Sequence, residues 1–129
     1  MKNLLGSIGA LVTFVFAGAV ISQHITEPEM TMVSLFDEFR EAQDGRKISR
    51  ISAATTGLVR VEWPEGSSTT PHNHANELVL SVVSGRLRAI SGDQEFIMEA
   101  GDTVIIPAWV EHSYVALEDT LTYEAAGPG

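Results

Sequence analysis

The sequence predicts an all-β sandwich or barrel. From about residue 47 onward, short runs of strand composition follow one another closely, Gly, Pro, Asp and Ser clusters separate them, and no helical period lies between them. At 129 residues, 44% apolar and 19% charged, the chain has room for one such domain and no separate cofactor domain.

Residues 1–19 carry a leader pattern. Lys2 precedes an apolar run from Leu4 to Phe16, and Ala17-Gly18-Ala19 is a small-x-small cleavage site, so cutting after Ala19 yields a secreted or periplasmic protein. Uncleaved, the same run would be a membrane anchor, being near the minimum length for a span, or a helix packed on the domain. Membrane contact is expected only in the uncleaved case. Residues 20–31 are a linker, polar from Gln23 and broken by Pro28.

The domain proper is expected over 32–129. Val33, Phe36 and Phe39 form one helical stripe ahead of Asp44-Gly45; one or two helical turns and an edge strand or docking arm are both compatible with it. Strands are expected at 47–52, 57–63, 68–74, 77–84, 86–91, 94–98, 103–106, 111–117 and 120–123. Turn signals punctuate them at Pro64-Glu65-Gly66, Ser84-Gly85, Ser91-Gly92-Asp93, Ala100-Gly101-Asp102 and Glu118-Asp119. Alternation places Leu87 and Ala89 inward and Arg86 and Arg88 outward. Trp63, Phe96, Trp109, Tyr114 and Tyr123 are aromatics for the core or a pocket lining.

Charge narrows the function. Seventeen acidic against eight basic residues give a formal charge of −9, which repels nucleic acid, so a nucleic-acid partner is not expected. Without cysteine, any metal must be held by nitrogen and oxygen. The chain offers that nitrogen in a pattern: His72 and His74, two apart in an extended segment, project to one face, and His112 follows a later strand. His24, the remaining histidine, lies in the expected linker.

These residues resemble the two sequence motifs of small single-domain cupins, over about Gly57 to Gly127. Gly66, His72, His74 and Gly85 stand at the spacing of the first motif, and Gly101, Pro107 and His112 at that of the second. Leu78 replaces the usual Glu or Gln ligand, Trp109 a usual glycine and Ala116 a usual asparagine. The resemblance implies a jelly-roll barrel in which His72, His74 and His112 bind a divalent transition metal, Fe, Zn, Ni or Mn. Glu77, one residue early, would ligate only through a bulge.

The likeness is nearest to short cupins of pectin and alginate breakdown, through Val61-Glu62-Trp63-Pro64-Glu65-Gly66, the His72-x-His74-x-x-Glu77 segment and the stretch from His112 to Thr120. It implies a small oxygen-rich acid, such as an unsaturated uronate, as substrate for isomerisation or ring opening. Three-histidine iron dioxygenases of the diketone type are the alternative, and a non-catalytic metal or small-molecule binding module a third reading. Glu77 and Tyr114 are the candidates for a general acid or base. A homodimer is expected, because exposed barrel edges are commonly covered by a partner subunit.

Overall fold

The computed structural model describes residues 10–16, 19–25, 27–36 and 38–127, the first two stretches as backbone only. It divides into two compact units, Met1–Val33 and Ser34–Gly129. In the first, strand β1 (Ala10–Phe16) pairs antiparallel with β2 (Ala19–Ile25), from Ala10 opposite Ile25 to Phe16 opposite Ala19. Of the leader expected over 1–19, residues 1–9 and 17–18 lie outside the described residues, and 10–16 and 19 belong to strands β1 and β2 and not to a helix. Of the linker expected over 20–31, residues 20–25 lie in β2 instead, and only 27–31 has no regular structure. Among the described residues no helix is long and apolar enough to cross a membrane.

The second unit is built entirely of antiparallel strand pairs in two sheets. The larger holds β3 (Arg40–Glu41), β4 (Lys47–Ser52), β5 (Gly57–Trp63), β11 (Thr120–Ala126), β6 (Leu78–Ser84) and β9 (Thr103–Ile106), in that spatial order. The smaller holds β10 (Ser113–Ala116), β7 (Arg86–Ser91) and β8 (Gln94–Glu99). The final strand β11 inserts between β5 and β6, so the middle of the large sheet joins segments far apart in sequence.

Alternation explains which residues meet. Val59, Val61 and Trp63 on β5, and Leu78, Leu80 and Val82 on β6, are all buried, and Leu87, Ala89, Met98, Tyr114 and Ala116 answer them from the small sheet. Fully burying a side chain the size of leucine contributes about 1.5–3 kcal/mol. The outward arginines form surface ion pairs, Arg86 with Glu99 at 3.5 Å and Arg88 with Glu95 at 3.0 Å. Each such pair adds ~1 kcal/mol or less. The indole of the core is paired: Trp63 Nε1 donates to Thr122 Oγ1 at 2.9 Å, and the Trp63 ring meets Tyr114 edge-on, 6.0 Å between centroids.

Of the two readings open for the Val33 stripe, the edge strand is the one that forms: among the described residues there is no helical turn, Leu35 and Phe36 make a turn, and Arg40–Glu41 pairs with the edge of β4. Phe36 and Phe39 stay exposed on the surface, under the guanidinium of Arg60 and the ammonium of Lys47, so no apolar groove rewards a helix there. The expected strand at 68–74 is reduced to two isolated bridges, Ser68 with Val115 and His72 with His112. Pro71 has no N–H to give a ladder. At Tyr114 a side chain replaces the missing carbonyl, Thr69 Oγ1 accepting from Tyr114 N at 2.9 Å.

Candidate metal centre

The second of those bridges builds the site. His72 N donates to His112 O at 3.0 Å and His112 N to His72 O at 2.9 Å, so the two residues are a hydrogen-bonded cross-strand pair with side chains on one face. Their rings lie 4.4 Å apart. His74, two residues on, returns to the same side at 4.9 Å from His72 and 5.4 Å from His112. One nitrogen from each of the three falls within 4.8 Å of the others.

Hydrogen bonding sets the tautomers. His72 Nδ1 lies 2.7 Å from Thr70 O and His112 Nδ1 lies 2.8 Å from Val110 O. A carbonyl can only accept, so each Nδ1 carries the proton and each Nε2 presents a lone pair. His112 Nε2 is buried and has no hydrogen-bond partner among the described residues. Such an unpaired acceptor costs about 1–3 kcal/mol unless something binds it. Burial holds His74 below the ordinary imidazole pKa, helped by the positive potentials of His72, His112 and Arg50. Burial likewise lowers His112, with His72 adding to the effect and the bond to Val110 opposing it. Three imidazole nitrogen donors, two oriented by carbonyls from behind, fit a first-row divalent metal.

The sequence matches the family described as Cupin domain over residues 59–123. This chain belongs to the cupin family. No curated protein matches it. Among solved structures, an RmlC-like cupin from Shewanella frigidimarina is similar at 19% identity and TM-score 0.70, covering 79% of this chain and 93% of that one. KdgF from Halomonas sp. is similar at 21% identity and TM-score 0.70, covering 79% and 96%. A salicylate 1,2-dioxygenase mutant from Pseudoaminobacter salicylatoxidans has TM-score 0.60 at 18% identity, covering 67% of this chain and 27% of that one. At these identities the likeness is one of fold.

Departures from the cupin motifs have visible consequences. Leu78 is buried in the core, opposite Ile106, and β6 pairs with β9 in unbroken register from there. Glu77 lies just before β6, after a bend at Ala75 and Asn76; it is exposed and does not belong to the histidine group. Tyr114 is buried, its ring 5.4 Å from His112 and its hydroxyl without a partner. Burial, reinforced by Glu124, pushes the Tyr114 phenol well above its ordinary range, so it stays protonated.

Trp109 stands where cupins usually have glycine, and its φ of 64° is the only positive value at a non-glycine among the described residues. Its N–H donates to His74 O at 2.7 Å, so this left-handed residue clamps the His74 backbone. A Cβ in that region costs about 1–2 kcal/mol, partly offset by the extra freedom glycine has when unfolded. Because the Trp109 side chain is 68% exposed, little packing is lost with it. Trp109→Gly is therefore expected to raise stability by ~0.5–1 kcal/mol and Trp109→Val to lower it. Urea unfolding midpoints of the two variants check this, and a destabilised glycine variant would refute it.

Sequence reading missed one inward carboxylate. Its last strand was expected to end at Tyr123, yet β11 continues to Ala126, and Glu124 follows the inward Thr120 and Thr122. Glu124 lies opposite both Val59 and Leu80, two core residues, and helps line a recess with His74, Asn76 and Arg50. Burial raises its pKa, opposed by His72 and Arg50. The Thr120, Thr122, Glu124 alternation was the available signal.

Proposed function

We propose that this cupin is a metal-dependent isomerase or lyase of small oxygen-rich acids, with an unsaturated uronate as the type of substrate. The observation that carries the reading is Glu124, an inward carboxylate in a recess that His74 of the triad also lines. The sequence likeness to cupins of pectin and alginate breakdown supports it.

His72, His74 and His112 would hold the ion, which supplies Lewis acidity toward an enol or carbonyl oxygen. The carbonyls of Thr70 and Val110 keep two of the imidazoles in the ligating tautomer. Glu124 moves the proton. In ring opening, the hemiacetal hydroxyl gives its proton to Glu124, the bond from its carbon to the ring oxygen breaks to leave an aldehyde and an enolate, and the enolate takes that proton back at carbon to become a ketone. Atoms balance without an oxidant. Burial of the core side chains behind Glu124 limits competing water.

The absence of a carboxylate from the histidine group favours one second reading, an iron dioxygenase acting on a diketone. Separate loading with Fe, Zn, Ni and Mn, followed by assay on an unsaturated uronate and on a diketone, tests both. The expected result is loss of the ultraviolet absorbance of the unsaturated ring in molar excess over protein, without oxygen uptake. Glu124→Gln should keep the metal and lose at least about a hundredfold in rate. Oxygen uptake on the diketone would favour the second reading. Saturable binding of the acid without turnover would leave a binding module.

A further inference from the structure

We infer that Arg50 anchors the carboxylate of the substrate, so that the site selects acids over their uncharged esters. This rests on the reading of the site as one for small acids and specifies which end of the molecule is recognised.

Arg50 stands opposite Val59, which stands opposite Glu124 on its other side, and directly opposed residues share a face of a sheet. Val59 is buried, so Arg50 and Glu124 rise from the inward face, two strand spacings or about 10 Å apart in backbone. Both line the same recess, together with His74, Asn76 and Gly127. A cation and a carboxylate thus flank one opening beside the triad.

The guanidinium has little else to do. Arg46, Arg60, Arg86 and Arg88 each have a carboxylate partner within 3.5 Å. Arg50 has none within the ion-pair distance among the described residues, and its one polar contact is a 3.5 Å bond to Gly127 O. A planar guanidinium offers two parallel donors that match a carboxylate. In a chain of net charge −9, a cation at this opening is also the local feature that offsets repulsion of an anionic ligand.

Galacturonate and its methyl ester are suitable probes, because they differ only in the charge that Arg50 would read. Titration calorimetry on the full-length, zinc-loaded protein should show the acid binding at least about tenfold more tightly than the ester. Arg50→Gln should weaken acid binding by roughly ten- to a hundredfold while leaving ester binding and zinc content unchanged, and Arg50→Lys should restore part of the loss. Equal binding of acid and ester to the unaltered protein, or acid binding indifferent to Arg50→Gln, would overturn the inference, as would failure of both probes to bind. The readout is independent of turnover: a protein that prefers the acid through Arg50 yet converts no uronate would retain the anchor and lose the proposed reaction.

Discussion

Replacement of His112 by alanine is expected to leave the purified protein without metal. Elemental analysis of protein prepared without chelator should find near-stoichiometric metal in the unaltered chain and none in His112→Ala, with affinity reduced by more than the ~10–100-fold that loss of an outer-shell partner costs. His112 is 3% exposed and its Nε2 is the unpaired atom of the site, so no neighbouring water-exposed group can substitute for it. The fold should survive, because the variant removes an unsatisfied acceptor as well as packing; an unchanged far-ultraviolet circular dichroism spectrum separates loss of ligand from loss of structure. Full metal content in His112→Ala would sink the three-histidine site. Acidity should act in the same direction. His74 and His112 are both held below the ordinary value of 6.5, so protons compete for them only below that pH. In the metal-free protein the unfolded chain binds protons first, and stability present above 6.5 should fall as pH drops through the folded values.

The second large effect is expected at Gly85→Ala, with a loss of about 3–5 kcal/mol or failure to fold. Gly85 joins β6 to β7 with φ of 86°, and a Cβ there would meet the Asp119 carbonyl and lie 2.7 Å from Thr120 Cα. Both obstacles are backbone and cannot swing away. Thr120 is itself pinned, its hydroxyl accepting from Arg86 N at 3.1 Å and lying within bonding distance of the Arg86 and Glu118 carbonyls. Gly66 is the control: its φ is 82° but nothing lies within 4 Å of its would-be Cβ, so Gly66→Ala should lose only ~1–2 kcal/mol. Urea unfolding of the two variants isolates the contact from the backbone conformation. Equal losses would mean that the close approach at Asp119 is not limiting.

The elements most legible in the sequence are the half-buried strands. Residues 47–52, 57–63, 86–91 and 103–106 form strands with the expected bounds, and for the last three Pro64, Gly92 and Pro107 mark the point where the run stops. Reading was poorer where pairing, not pattern, decides. The segment 68–74 has strand composition but carries Pro71, and it bridges its neighbour at only two positions. The stripe of Val33, Phe36 and Phe39 has helical spacing but no surface to cover it. Trp63 and Tyr114 are core as their aromatic character suggested, whereas Phe96 and Trp109 are more than half exposed.

The sequence by itself determined the cupin barrel and the identity of the three histidines, since a two-residue spacing on extended chain puts His72 and His74 on one side and the family spacing adds His112. Tertiary structure alone decided the rest of the site. His72 and His112 are forty residues apart and meet through a single pair of main-chain hydrogen bonds. Arg50, Val59 and Glu124 come into one row only because β11 crosses the sheet to lie between β5 and β6. Register between distant strands is set by which apolar faces bury together, a property of the whole core, and no local pattern around Arg50 or Glu124 contains it.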